Sequence, residues 1–320
     1  MRILSGIQPS GRLHLGNYFG MMKRMIHYQN NHDLFCFIVN LHALTSVFDG
    51  KTLKENTQGA VADFLALGLD PTRCTFWVQS DVPIVTELLW YLSNHTPLGL
   101  LERCTSYKDK VDKGLSASHG LFSYPVLMAA DMLLFQAERI PVGKDQKQHL
   151  EIARDIAFKF NHVYGETFVI PAPDIENDLA LIPGLDGQKM SKSYGNTIDI
   201  FAPEKEIHKK VMSIKTDSKG VNEPKDPDTC LLYQLYKLFV SEEKCALMAD
   251  KLKSGGYGYG DVKKDLANEI MGTFSPLREK REKIFADKKY LLEVMHLGAK
   301  KAQTTALKTI ETVRQKVGVI

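Results

Sequence analysis

Cysteine is scarce in this chain of 320 residues. The five present, Cys36, Cys74, Cys104, Cys230 and Cys245, are scattered, and none forms a Cys-x-x-Cys pair. That spacing offers no ligand set for zinc or an iron–sulfur cluster, so no such metal site is expected. An odd, dispersed number also fits a reduced cytoplasm better than a disulfide framework. Long hydrophobic runs are missing too, and no stretch reaches the length needed to cross a bilayer. Gln8, Ser10, Arg12 and His14 interrupt the apolar segment a secretory signal would need near the start. Charge of one sign is in short supply: 41 Lys and Arg against 38 Asp and Glu leave +3. An anionic partner therefore has to be met by a local patch. A cytoplasmic protein without a membrane partner is expected. The composition, 44% hydrophobic and 25% charged, is that of a globular protein. The length suits one large domain with a smaller attachment.

The stretch from Arg2 to Lys23 is the first with a chemical pattern. Ile3 to Ile7 suit a strand, Gln8-Pro9-Ser10-Gly11 a polar turn, and Tyr18, Met21, Met22, Met25 and Ile26 recur at helical spacing. Strand, turn and helix point free backbone N–H groups at an anion. Gly16 admits a close ligand approach, and His14 and Asn17 add hydrogen-bonding side chains. The pattern serves equally a nucleotide site or a plain structural turn.

Leu34–Val39 and Thr75–Gln79 are further apolar runs of strand length, separated by a helical pattern over 52–67 that Gly68 and Asp70-Pro71 close. Strands without alternation, separated by helices, indicate a parallel sheet covered on both faces. Ligands of such sheets sit outside the carboxyl ends of the strands, here Ile7-Gln8 and Asn40-Leu41-His42. Residues 86–93 and 98–103 read as helix, with the apolar run 88–92 either a core element or a contact surface. Thr105 to Gly120, carrying Lys108, Lys110 and Lys113, is either a solvated loop or a lid. Pro125 suits the first turn of a helix running to Glu138 that is apolar on every face and hence buried. Asp131 sits in its middle. A buried carboxylate needs partners: either a structural bond or a ligand N–H or O–H. Tyr124 and Met128 share its face. Residues 140–149 repeat the strand, glycine turn and helix logic around Gly143, with Asp145 and Gln146 as polar readers.

In the segment 183–196, Gly184, Gly187 and Gly195 give freedom, and Lys189 and Lys192 are interleaved with Ser191 and Ser193. Such a loop can close on a polyphosphate. Beyond Pro203 the chain turns to basic helical patterns over 204–212, 229–240, 242–253 and 262–287, with a glycine-rich link at 254–260 and Asp261 as a candidate cap. Arg278, Lys280, Arg281 and Lys283 lie there, either against nucleic-acid phosphates or as a solvated face balanced by Glu279 and Glu282. Ala302, Ala306, Ile310, Val313 and Val317 mark one face of a last helix. The fold class expected is α/β: a Rossmann-like parallel-sheet nucleotide-binding domain over 1–200, a smaller α-helical domain over 201–297, and a C-terminal helix, 298–320, packing back on the first.

His14-Leu-Gly-Asn17 and the complete Lys189-Met-Ser-Lys-Ser193 resemble the two signature motifs of the class I aminoacyl-tRNA synthetases. Ser5-Gly-Ile-Gln-Pro-Ser-Gly11, Gly16-Asn17, Tyr124-Pro-Val-Leu-Met-Ala-Ala-Asp131 and Pro141-Val-Gly-Lys-Asp-Gln146 are similar to the bacterial tryptophanyl members. The chain departs from that family's usual residues at His14, at Asn40 and Leu41, and at Lys144.

The resemblance implies an ATP-dependent ligase. It would activate L-tryptophan to the adenylate, release pyrophosphate and pass the acyl group to tRNA(Trp). Mg²⁺ would accompany ATP, and the chain would act as a homodimer. Catalytic roles would fall to His14, Asn17, Lys110, Lys189 and Lys192. ATP would be held by His14, Asn17, Lys189 and Lys192 among these and by Gln8, Pro9, Ser10, Gly11, Gly16, Gly143, Lys144, Asp145, Ile182, Met190, Ser191 and Ser193. Tryptophan would meet Leu4, Gln8, Val39, His42, Tyr124, Met128, Asp131, Ile140, Val142 and Gln146, with Asp131 accepting the indole N–H. The alternatives are the sister tyrosyl enzyme, a non-catalytic synthetase-like protein that binds RNA or protein, and a small-molecule adenylyl- or cytidylyltransferase.

Overall fold

The computed structural model describes residues 1–104, 107, 114, 117–141, 143, 147–174 and 182–320. Lys108, Lys110, Lys113, Val142, Lys144, Asp145 and Gln146 lie outside them. The chain folds as two units built from non-contiguous pieces. One comprises Met1–Gly11, Met25–Glu176 and Ile284–Ile320, the other Arg12–Arg24 and Asn177–Lys283.

The first unit is built on five parallel strands: β1 (Arg2–Ile7), β2 (Asp33–Ile38), β3 (Thr75–Val78), β4 (Arg139–Pro141) and β5 (Ala172–Asp174), in the order β3-β2-β1-β4-β5. β1 and β2 pair in register from Arg2 opposite Asp33 to Ile7 opposite Ile38. Both are buried over most of their length, as a sheet covered on both faces requires. β5 contains Pro173 and sits at the edge, where a missing donor costs no ladder bond.

Trp77 on β3 anchors the core. It stacks on Phe37 at 4.7 Å between centroids, meets Phe35 edge-on at 5.8 Å and packs against Phe135 at 4.7 Å. Burying an aromatic of this size on three others contributes more than area alone. The C-terminal helix (Lys288–Val317) lies on β3. Its inward residues Gly298, Ala299, Ala302, Ala306, Ile310 and Val313 are small or aliphatic and buried, so the backbones approach closely. The helix starts ten residues before the expected Gly298, capped by Asp287, whose side chain accepts the Tyr290 N–H. Helix Ile84–Ser93 buries Leu88 and Leu92 in the core and leaves Trp90 68% exposed.

The helix carrying Asp131 runs His119–Leu134, so Pro125 stands inside it and not in its first turn. The start is fixed earlier because Ser118 accepts the Leu121 N–H. It also stops short of Glu138: Gln136 takes a left-handed φ of 52° and ties its side chain to Thr167 and Val169.

The second unit is helical: Glu204–Met212, Leu231–Tyr236, Glu242–Ser254 and Tyr259–Ala286, the last crossing its boundary. The last of these begins at Tyr259, which puts Asp261 in its first turn and not at its cap. Phe274 is the centre of an aromatic cluster, edge-on to Tyr18 at 5.1 Å and near Phe201 and Phe239, while Phe19 meets Phe239 at 5.1 Å. This fixes the π-helical turn Tyr18–Met22 among the helices of this unit. Arg278 lies 3.6 Å from Glu204 and Arg281 3.2 Å from Glu282, so both have acidic neighbours. Among the described residues, no helix is long and apolar enough to cross a membrane.

Candidate functional site

In the first unit the carboxyl ends of β1, β2 and β3 converge on Asp131. Gln8 follows β1, and its Nε2 donates to the His42 carbonyl at 3.2 Å. His42 lies on the short helix Asn40–Ala43 after β2, and its Nε2 is 2.8 Å from Asp131 Oδ2. Gln79 follows β3, opening the 3₁₀ turn Gln79–Asp81, and its Nε2 donates to Asp131 Oδ1 at 2.8 Å and Oδ2 at 2.9 Å. Asp131 is 3% exposed. Both carboxylate oxygens thus have donors, which meets the cost of burial. An ionised carboxylate offers about four lone-pair positions, so capacity for a ligand donor remains.

Tyr124 stands edge-on to the His42 ring at 6.3 Å, and its hydroxyl is 2.7 Å from His149 Nε2. Leu4 and Ile140 belong to the apolar core, with Val39 and Met128 packed against it. The sheet therefore gathers Leu4, Gln8, Val39, His42, Tyr124, Met128, Asp131 and Ile140 into one unit. Pro9 is buried, Ser10 and Gly143 are exposed, and Gly11 is half-buried.

Gln79 was not among the residues expected from the sequence. Its signal is slight, a polar side chain ending a buried strand. Its neighbour Ser80 clamps Asn40 in the same way: the Asn40 side chain accepts the Ser80 N–H at 3.1 Å and donates to its hydroxyl at 2.8 Å.

The second unit brings the two lysines and the His14 turn together. Residues 13–15 pair antiparallel with 198–200, through Leu15 N–H to Ile198 and Ile200 N–H to Leu13. Asn17 Oδ1 accepts the His14 N–H at 3.0 Å. The Gly16 N–H donates to Met190 Sδ at 3.3 Å. A Cβ on Gly16 would meet the His14 ring at 3.0 Å and Met190 Cβ at 3.4 Å. Glycine is therefore needed for close approach, and the motif's central glycine and methionine touch.

His14 is buried, and its Nδ1 has no hydrogen-bond partner. Burial, reinforced by the Lys192 charge, lowers its pKa to about 4. The imidazole is thus neutral at pH 7 and has a ring nitrogen to offer. Asp199, opposite it, is raised above the ordinary carboxylate value, chiefly by burial.

The loop 183–196 is held by Asn196, another residue not expected from the sequence. Its side chain accepts the Ser191 N–H at 2.8 Å and donates to Asp186 at 2.8 Å and to the Lys189 carbonyl at 3.1 Å. Met190 N–H donates to Ile182 O at 2.8 Å, and both residues are buried. Lys189 and Ser193 are exposed, while Ser191 and Lys192 are half-buried. An anchored loop presenting ammonium and hydroxyl groups is suited to binding a polyphosphate.

The family described as tRNA synthetases class I (W and Y) matches residues 1–275. The tryptophan–tRNA ligase of Fusobacterium nucleatum is 52% identical over 320 residues, covering 100% of this chain and 98% of that protein. The tryptophan–tRNA ligase of Campylobacter jejuni strain RM1221 is 50% identical over 318 residues, covering 99% and 100%. The crystal structure of tryptophanyl-tRNA synthetase from Campylobacter jejuni, complexed with ADP and tryptophan, superposes with a TM-score of 0.93 at 50% identity, covering 99% of this chain and 100% of that one.

Proposed function

The chain belongs to the class I tRNA synthetases of the tryptophan and tyrosine type, and from that membership we propose the reaction of a tryptophan–tRNA ligase. The tryptophan carboxylate attacks the α-phosphorus of ATP. The bond to the bridging oxygen breaks, leaving tryptophanyl-adenylate and pyrophosphate. A hydroxyl of the 3′-terminal ribose of tRNA(Trp) then attacks the acyl carbon and AMP departs. Chemistry of this kind needs positioning and charge neutralisation more than a covalent partner.

The residues divide the work by chemistry. His14, neutral at pH 7, and Asn17 donate to phosphate oxygens. Lys189 and Lys192 neutralise charge as pyrophosphate leaves, with Ser191 and Ser193 as hydroxyl donors and Lys110 as a further cation. Mg²⁺ accompanies ATP and shares its charge. Pro9, Ser10, Gly11, Gly16, Gly143, Lys144, Asp145, Ile182 and Met190 approach the nucleotide. Gln8, Tyr124 and Gln146 hold the amino and carboxylate groups of tryptophan. Asp131 accepts the indole N–H in a slot lined by Leu4, Val39, Met128, Ile140 and Val142, with His42 beside it. Residues 1–200 carry catalysis, the helices over 201–297 meet the anticodon, and two copies associate in the cytoplasm.

The observation that carries the choice of tryptophan is Asp131, a buried acceptor at the carboxyl ends of the strands with capacity for one more donor. An apolar slot alone discriminates weakly, whereas a site that bonds a polar group rejects analogues lacking it by roughly 10⁴–10⁵. ATP–pyrophosphate exchange across the amino acids tests the reading, with tRNA charging to follow. Exchange driven by tryptophan is expected. Exchange driven by tyrosine and not tryptophan would replace the reading with the sister activity.

A further inference from the structure

We propose that Gln79 is a positioning residue for amino-acid selection: it fixes the plane of the Asp131 carboxylate and, through the Asn40–Ala43 turn, the placement of Gln8. The proposal rests on the tryptophan reading above.

The orientation of the Gln79 amide follows from its surroundings. The Leu41 N–H can only donate, and it meets Gln79 Oε1 at 3.0 Å. The nitrogen must then face Asp131, where it lies 2.8 and 2.9 Å from the two oxygens. An amide side chain otherwise leaves its oxygen and nitrogen interchangeable; here a backbone donor decides. Asp131 thus accepts from Gln79 at both oxygens, and His42 Nε2 lies 2.8 Å from its Oδ2. One donor alone leaves a carboxylate free to swing about it. Two donors from different elements set its plane, and so the direction left for an incoming N–H.

The other end of the amide reaches the amino-acid site by a second route. Leu41 and His42 are consecutive on the short helix Asn40–Ala43, and the His42 carbonyl accepts from Gln8 Nε2 at 3.2 Å and from Thr45 Oγ1 at 2.9 Å. Gln79 therefore ties the ends of β1, β2 and β3 and the Asp131 helix into one hydrogen-bonded corner. It is 1% exposed, so water does not substitute for it. A purely structural glutamine needs only to satisfy its own amide. This one spends its two donor contacts on the carboxylate proposed to read the substrate.

Two variants of the full chain test this in ATP–pyrophosphate exchange. Gln79→Leu removes all three contacts, those to Asp131 and that from Leu41. Gln79→Glu keeps the shape and, when protonated, an O–H donor toward Asp131. The probes are tryptophan and its benzothiophene analogue, which has sulfur in place of the indole N–H. For Gln79→Leu, KM for tryptophan should rise ~10-fold or more and preference over the analogue should fall by a similar factor. KM for ATP should hold.

Gln79→Glu sets a second carboxyl against Asp131, and like charge with burial raises its pKa. The titratable groups around it are Asp131 and Tyr124 on one helix and His42 on another, with Asp81 on its own turn and His296 of the C-terminal helix acting on Asp81. This variant should resemble wild type near pH 6 and lose tryptophan affinity toward pH 9. Because the comparison is made within one preparation, it survives a failure of Gln79→Leu to fold. An unchanged preference in Gln79→Leu, or a Gln79→Glu profile parallel to wild type, overturns the proposal. If wild type itself shows no tryptophan-driven exchange, it is the functional reading that fails.

Discussion

Gly298 of the C-terminal helix faces the carbonyl of Phe76 on β3 so closely that a Cβ placed on it would lie 1.6 Å from that oxygen and 2.6 Å from its carbon. The obstacle is backbone, which cannot rotate away. Gly298→Ala has to push the helix off the strand that carries Trp77, opening the contacts of Ala302 and Ala306 behind it. Overpacking of this sort costs about 3 kcal/mol or more. Urea unfolding should show a loss of unfolding free energy of that size; a loss under about 1 kcal/mol would mean the helix docks with more room than its backbone indicates.

The same helix is tied down near its end. Arg314 donates to both carboxylate oxygens of Glu87, Nε at 2.7 Å and Nη2 at 2.6 Å, and Tyr91 adds a bond at 2.9 Å. The Arg314 bond, against a smaller opposing effect of burial, holds the Glu87 carboxyl below its ordinary 4.5. A depressed carboxyl contributes stability that is present above its unfolded pKa and lost as pH falls through its folded one. Glu87→Gln should therefore be less stable than wild type at pH 7, with the gap closing below about pH 4.5. A constant offset in the urea midpoint from pH 7 to pH 3 would count against the pairing.

The strands show how far apolar runs alone lead. β1 to β3 fall within a residue or two of the runs that predict them, since a strand buried on both faces is mostly apolar. β5 is three residues with a proline, and what makes it a strand is the β4 edge beside it, not its own composition. The early start of the Asp131 helix depends on one serine side chain at its cap, and the π turn at Tyr18–Met22 on aromatic partners more than two hundred residues away. At the candidate site, side chains within compact motifs such as His14–Asn17 were readable because their chemistry is local. Gln79 and Asn196 were not, because each acts by bonding backbone or side chains that only the fold delivers.

Lys225 is a buried lysine with a plain structural task. It is 2% exposed, and its ammonium donates to the carbonyls of Gly220 at 2.9 Å, Glu223 at 3.0 Å and Val221 at 3.2 Å. Three donors meet three acceptors of one turn. Lys225→Met keeps the length and removes the donors from carbonyls of three exposed residues, of which Gly220 and Val221 each keep a backbone donor. A loss of about 1–2 kcal/mol is expected, with faster amide exchange over residues 220–225 ahead of global unfolding. Exchange unchanged there would show that the turn holds without the lysine.

Asp131 separates binding from chemistry. Asp131→Ala removes the proposed indole acceptor and leaves the donors of His42 and Gln79 facing a void. KM for tryptophan should rise by ~100-fold or more, and selectivity over phenylalanine should relax. KM for ATP should move little, because the triphosphate groups belong to other residues. Unchanged selectivity in pyrophosphate exchange would remove Asp131 from the recognition of tryptophan.

His14 makes a prediction in pH for both stability and activity. Burial first, then the Lys192 charge, takes its pKa from the ordinary 6.5 to about 4. The folded chain thus holds the imidazole neutral where the unfolded chain would protonate it. Between about pH 6.5 and pH 4 the unfolded state binds more protons, so stability falls as pH is lowered through that window and is fully present above it. A shift of this size corresponds to an order of 3 kcal/mol between the two ends. His14→Gln keeps a hydrogen-bonding side chain but cannot titrate. Its unfolding free energy should follow wild type with a constant offset above pH 7 and lack the wild-type decline attributable to this site between pH 6.5 and 4. In activity, a neutral ring has no proton to lose near neutrality, so the wild-type kcat for adenylate formation should show no His14 step between pH 6 and 8. His14→Ala should lower kcat by ~10²–10³, the cost of one donor lost from a preorganised oxyanion site. A wild-type kcat that falls from pH 6 to 8, with His14→Gln flat over the same range, would mean the working form is the imidazolium and would reverse the role given to this side chain.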